Sequence, residues 1–272
     1  MKYLDMENAE LEIEIYSIKK LRNFLKNHLN EINKFNFKRV TIDIKYININ
    51  EAIKIINDLI TFEKCNFLLM IKTKLKCIPI ENFSNLLIIN TSSITFNNDN
   101  IYNQILLNNR NIKKITKCLH QNINVIVEPV IDVNCIKKFN DLLLKLYNNN
   151  LNFEIFLGGF LIPISLIKEH PCNAYLCDGW KCGKKISQLP KVIFIDKDDM
   201  IYPHRIKNEK VAIGKLTNKF SLENIIINYF NSEKYYYLKE IEKRVFIKYV
   251  LNYPYSLFPL DKYIEKELHY DK

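Results

Sequence analysis

Between Leu11 and Leu157 the sequence keeps changing hydrophobic period, and that alternation limits the fold more than any other feature of the chain. Leu11–Tyr16, "LEIEIY", alternates apolar and acidic residues, the period of a strand. Ile18, Leu21, Phe24, Leu25 and Leu29 follow at helical spacing. Val40–Ile44 is again a strand. The next segment, Ala52 to Ile60, places Ile53, Ile56 and Ile60 on one helical face, with Asn48 or Asn50 as its N-cap. Phe67–Ile71 and Leu86–Ile89 are strands, separated by a loop or very short helix around Pro79. Ile101 to Leu119 is expected to be helical, in one or two pieces. Val125–Val130 is a strand, Ile136, Phe139, Leu142, Leu143 and Leu146 mark an amphipathic helix, and Phe153–Leu157 is a further strand. Six strands with helices between most of them imply a parallel sheet with right-handed crossovers. Continuous apolar runs such as "NVIVEPVI" and "NLLII" suit strands buried on both faces. The expected class is α/β: a partial (βα)6 TIM-like barrel over residues 1–160.

Glycine is nearly absent. There are 5 in 272 residues, and the first is Gly158. Phosphate-cradling loops need glycine for positive φ and close backbone approach, so residues 1–157 hold neither a P-loop nor a dinucleotide fingerprint. The formal charge is +10, from 40 basic and 30 acidic residues. The lysines are dispersed among Asn, Ile and Tyr, with no tight basic block interleaved with aromatics, so nucleic-acid binding is not expected. No run approaches the roughly 20 apolar residues of a membrane span. The N-terminus is acidic where a signal peptide would be basic, so the expectation is a cytoplasmic chain with no membrane partner. Seven cysteines, an odd number, then point to reduced thiols or metal ligands.

From Gly158 the pattern changes. "GGFLIPISLIKEHPCNAYLCDGWKCGKKISQLP" holds four of the five glycines and three of the seven cysteines. "KVIFIDKDDMIYPHRI" follows, two apolar runs around an acidic turn, which is a β-hairpin signature. "VAIGKL" comes next, and the tail from Ser221 is mostly helical. Expected boundaries are therefore 1–160 for the barrel-like part, 161–220 for the hairpin region and 221–272 for the tail. The run Tyr235-Tyr236-Tyr237 reads as a helix face. Glu128, in "IVEPVI", reads as a paired or strand-end carboxylate.

The order of these elements resembles radical S-adenosylmethionine enzymes that carry a C-terminal SPASM or twitch extension. The likeness is best over Asn111 to Gly159. "IKKLRNFLKNHLNEINKFNFKRVTIDI" also resembles the family's first barrel helix and second strand. "IDKDDMIYPHRI" and "VAIGKL" stand where the family has a hairpin like "IDPDGDVYPC" followed by "IGN". The departures bear on function. The family binds its reactive cluster with CxxxCxxC after the first strand, whereas here no cysteine precedes Cys65. The GGEP-like stretch after the second strand is replaced by "DIKYIN". Without three thiolates the cluster has no protein ligands, so the resemblance implies a degenerate, pseudo-radical protein with no cofactor in the barrel.

The resemblance also implies an auxiliary site. Cys172, Cys177 and Cys182, spaced C-x4-C-x4-C, with His204 at the hairpin's closing position, form a candidate set for zinc or an iron–sulfur cluster. His170 competes as a ligand, and the alternative is that the thiols are small hydrophobes in a core. Cys65, Cys77, Cys118 and Cys135 read as core or incidental. Relatives with this extension act mostly on ribosomally made peptides. The implied function is a non-catalytic subunit that binds a precursor peptide, an active radical S-adenosylmethionine enzyme, or both. The alternatives are an electron-relaying metalloprotein and, weaker, a basic nucleic-acid-binding protein. The peptide would add to an exposed edge strand carrying Leu11, Ile13 and Ile15, or lie in the barrel mouth.

Overall fold

A computed structural model describes residues 9–129, 136–148, 151, 153–157, 160–164, 192–217, 221–245, 247–248 and 260–270. The chain divides into two compact units, Met1–Thr95 with Leu189–Tyr236, and Phe96–Gln188 with Tyr237–Lys272. Both are mixed α/β. Among the described residues no helix is long and apolar enough to cross a membrane.

Strands and helices are numbered along the chain. The first unit begins with β1 (Glu10–Ile15), α1 (Ile18–Lys34), β2 (Arg39–Ile44), α2 (Ile49–Leu59) and β3 (Leu68–Thr73). β4 (Leu87–Asn90) follows β3 after an irregular connection, as Pro79 and the weak pattern there suggest. β1, β2, β3 and β4 pair in that order, all parallel. Ser17 caps α1, its side chain accepting a hydrogen bond from the Lys20 amide. Asn48 caps α2 by accepting from the Asn50 amide. Leu21, Phe24, Leu25 and Ile32 of α1 and Ala52, Ile53, Ile55 and Ile56 of α2 are buried. Each such leucine or isoleucine is worth about 1.5–3 kcal/mol of transfer free energy. Right-handed crossovers put α1 and α2 on one side of the sheet, against the apolar row Leu11, Ile13, Ile15, Val40, Ile42 and Ile44.

The hairpin is β9 (Val192–Ile195) with β10 (Met200–Pro203), antiparallel, with Ile201 opposite Ile195. It is not set apart in a region of its own, as the expected boundary at residue 161 had it. β9 pairs in parallel with β1, from Glu10↔Val192 to Ile13↔Ile195, so the hairpin extends the first unit's sheet. The physical reason is legible in "VIFI": four consecutive buried residues need neighbours on both faces, as in an interior parallel strand. β11 (Gly214–Lys215) and α5 (Leu222–Phe230) complete this unit. Gly214 is required by space, since a Cβ there would lie 2.8 Å from Ile225 Cγ2 on α5.

The second unit contains β5 (Ile101–Leu107), α3 (Ile112–His120), β6 (Val125–Pro129), α4 (Ile136–Tyr147), β7 (Glu154–Leu157), β8 (Phe160–Pro163), most of α6 (Glu233–Val245), and α7 (Leu260–Tyr270). β5, β6 and β7 are parallel, and β8 returns antiparallel to β7. The helix expected over Ile101–Leu119 is thus a strand followed by a helix. Ile101 and Ile105, four residues apart, fit either period; the burial alternation over Ile101–Leu107 is that of a strand. Asn103, 1% exposed, fixes it there: its side chain accepts from the Phe96 amide (3.0 Å) and donates to the Phe96 and Asn124 carbonyls. Asn108 Oδ1 then accepts from the Arg110 and Asn111 amides and turns the chain into α3.

Candidate functional site

"ELEIEI" places Glu10, Glu12 and Glu14 on one face of β1 and its apolar residues on the other. Register puts Arg39, Thr41 and Asp43 of β2 beside them, and Lys72 of β3 beside Asp43. The face opposite α1 and α2 is therefore charged, yet Glu10, Glu12, Arg39 and Asp43 are all buried. The charges are matched from within. Arg39 approaches Glu10 at 3.8 Å and Lys72 approaches Glu12 at 3.8 Å. Arg205 Nη2 pairs with Glu12 Oε2. Lys207 pairs with Glu14 at 3.0 Å and lies 5.0 Å over the Phe194 ring. Lys45 pairs with Asp43 Oδ2 at 2.8 Å, while the buried Asp43 Oδ1 has no hydrogen-bond partner among the described residues.

The hairpin delivers two of these cations. After Pro203 the chain reverses through His204 and Arg205, both left-handed at φ 55 and φ 63, closed by the Ile206 amide donating to the Pro203 carbonyl at 3.0 Å. Two successive positive φ angles make a type I′ turn, which favours Asn-Gly; here two side-chain-bearing residues hold it. Their strain, of order 1–2 kcal/mol per residue, is opposed by the pairs that the turn makes possible. Arg205 reaches Glu12, and Lys207 reaches Glu14. His204 is 2% exposed, and its amide donates to the Val192 carbonyl. At the hairpin's other end Asp196 Oδ1 accepts from the Asp198 and Met200 amides. Lys20, from the first turn of α1, donates to the Asp196 and Lys197 carbonyls and pairs with Asp199 at 2.8 Å. Tyr202, packed against Phe194, has its phenol pushed up mainly by burial, with Asp196 and Glu209 adding to it.

In parallel α/β sheets ligands bind beyond the C-terminal ends of the strands. In the first unit the connections leaving these ends range from two residues after β1 to the long loop between β3 and β4, and side-chain hydrogen bonds tie them. Only Tyr16 and Ser17 lie between β1 and α1. Tyr16 meets Tyr46, which follows β2, with ring centroids 6.1 Å apart. Tyr46 is 96% exposed. Asn50 Oδ1 accepts from the Ile80 amide (3.0 Å) and the Glu81 amide, tying the loop after β3 to the start of α2. Asn90, fully buried at the end of β4, accepts from the Leu75 and Ser92 amides and donates to the Ile94 carbonyl. That side chain organises two of the connections at once.

The expected sites are distributed as follows. Leu11, Ile13 and Ile15 are fully buried, and β1 lies between β2 and β9, bonded on both sides. It is an interior strand, not an edge; the hairpin occupies the position that the sequence left open. Cys172, Cys177, Cys182, His170 and Cys135 lie outside the described residues. Of the proposed ligand set His204 alone is described, buried in its turn. Among the described residues no three His, Cys, Asp or Glu side chains are grouped to hold a metal ion. Cys118 is buried, Cys65 half-buried with its thiol pushed up by burial, and Cys77 exposed. Glu128 is paired, accepting from Gln104 Nε2. Sequence reading missed the pairing of Glu12 with Arg205 and Lys72. The available signal was an acidic residue at every second position of a strand whose other positions are core.

No family model and no curated protein matches the sequence. A similar solved structure is the crystal structure of Streptococcus suis SuiB, at 10% identity and a TM-score of 0.48, covering 86% of this chain and 67% of that one.

Proposed function

We propose that this chain is a non-catalytic subunit of a ribosomal peptide modification system. It binds a precursor peptide and works beside an active radical S-adenosylmethionine enzyme. In this reading the parallel strands correspond to a partial barrel, and β9–β10 to the hairpin of a twitch-like extension. One observation carries the non-catalytic part: the connection after β1 consists of Tyr16 and Ser17, neither of them a cluster ligand. The charged face of β1 and β2 supports it, because its carboxylates are paired with cations of the same chain, Arg39 and Lys72 from neighbouring strands and Arg205 and Lys207 from the hairpin.

The test is an anaerobic preparation reconstituted with iron and sulfide, then incubated with S-adenosylmethionine and a strong reductant. No 5′-deoxyadenosine above the protein-free background is expected. Turnover would overturn the reading. Stoichiometric iron and acid-labile sulfide without turnover would replace it with electron relay through Cys172, Cys177, Cys182 and His204.

A further inference from the structure

The connections at the C-terminal ends of β1–β4 expose apolar side chains that the fold has no use for. Tyr46 is 96% and Ile80 90% exposed, and Tyr16, Ile78 and Ile94 in the same connections are exposed as well. Single exposed hydrophobics are ordinary; connected ones mark contact sites. Tyr16 and Tyr46 are in ring contact, and Asn50, four residues after Tyr46, accepts from the Ile80 and Glu81 amides, so the loops that carry these side chains are tied at one end of the sheet.

Tyr46 is also left-handed, at φ 60. An aromatic residue in that conformation costs of order 1–2 kcal/mol, and almost none of its ring area is buried in return. Such strain collects at ligand clamps. The platform is stiffened from beneath by the buried Asn90, which fixes Leu75, Ser92 and Ile94. A surface held ready in this way loses little entropy on binding.

Charge selects the occupant. The connections Tyr16–Ser17, Lys45–Asn48, Lys74–Leu86 and Thr91–Thr95 carry Lys45, Lys74 and Lys76 against Glu81. Lys45 is engaged by Asp43; Lys74 and Lys76 are exposed. We propose that this rim binds an extended acidic peptide segment with alternating apolar side chains. The apolar residues would lie on Tyr46, Ile78 and Ile80, and the carboxylates beside Lys74 and Lys76. Three isoleucines and no arginine favour aliphatic peptide side chains over nucleobases, which need stacking and dense backbone charge. This inference rests on the peptide-binding reading above and names its ligand.

Fluorescence anisotropy tests it with labelled synthetic probes: a peptide alternating Glu with Leu and Phe, the same peptide with Lys for Glu, the same with Ser for Leu and Phe, and oligothymidine. The first should bind tightest. Tyr46→Ala and Ile80→Ala should each weaken it about tenfold, a loss typical of an exposed anchor, without altering the fold, since both side chains lie in solvent. Lys74→Glu with Lys76→Glu should shift preference toward the Lys-bearing peptide. If the Lys-bearing peptide already binds the unaltered protein as tightly, the acidic chemistry is overturned while peptide binding stands. If no peptide binds, the rim is not a peptide site and this inference falls, whereas the non-catalytic reading falls only on turnover of S-adenosylmethionine. If oligothymidine binds tighter than the acidic peptide, the rim reads nucleic acid and the proposal is wrong.

Discussion

Arg205 is held in an unfavourable backbone conformation by a favourable side-chain contact, and two substitutions separate the terms. Arg205→Ala removes the guanidinium from Glu12, which is 5% exposed. Removing one partner of a buried pair costs about 3–5 kcal/mol; Lys72, still 3.8 Å from Glu12, places the loss near the lower end, about 3 kcal/mol. Arg205→Gly makes the same deletion but frees the backbone at φ 63, returning about 1 kcal/mol. The expected order of stability is wild type, then Gly, then Ala. That order is the reverse of what helix or strand positions show. Native-state hydrogen exchange of the β1 and β9 amides measures it locally, with no need for both units to unfold together. Exchange should quicken by about two orders of magnitude in the alanine variant and by roughly fivefold less in the glycine variant, at about 1.4 kcal/mol per decade. Equal protection in the two variants would refute the strain. Wild-type protection in both would refute the role of the ion pair.

Asp199 sits at φ 64 in the hairpin turn, in the left-handed region that favours glycine. Asp199→Gly should relieve about 1 kcal/mol of backbone strain. Against this it loses the partly exposed contact with Lys20, worth under about 1 kcal/mol, while Lys20 keeps its two carbonyl partners. A small rise in melting temperature is expected, and a clear fall would show that the Lys20 clasp dominates. Asn90→Ala leaves the Leu75 and Ser92 amides and the Ile94 carbonyl without their partner, and should cost about 2–3 kcal/mol. It should also speed exchange over residues 74–80 and 91–94 and weaken the acidic peptide; unchanged exchange in those loops would refute its organising role. The Tyr202 phenol is pushed up in the folded chain. The unfolded chain therefore loses its phenolic proton first, and this group's contribution to stability is intact below about pH 10 and declines as pH rises toward the folded value. Tyr202→Phe should flatten the alkaline limb of a stability–pH curve, and an unchanged limb would show that other groups set it.

The parallel strands were readable because each carries enough consecutive or alternating apolar residues to declare its period. Ile101–Leu107 was misread because Ile101 and Ile105 satisfy both periods and the residue that decides, Asn103, acts through bonds to Phe96 and Asn124. The order of strands was the larger loss. Sequence shows that β1 is amphipathic, but the partner that covers its free side enters more than 170 residues later, in "VIFI". Once β9 is in place, the acidic alternation of β1 has a physical meaning. Glu12 and Glu14 are the anchors for Arg205 and Lys207, so the same hairpin that closes the edge also neutralises part of the face. With Glu12 and Glu14 engaged by the hairpin, the exposed groups at this end of the first unit's sheet are those of its connections. Tyr16, Tyr46, Ile80, Lys74 and Lys76 were invisible as a set because they come from three connections that only the parallel register brings to one rim.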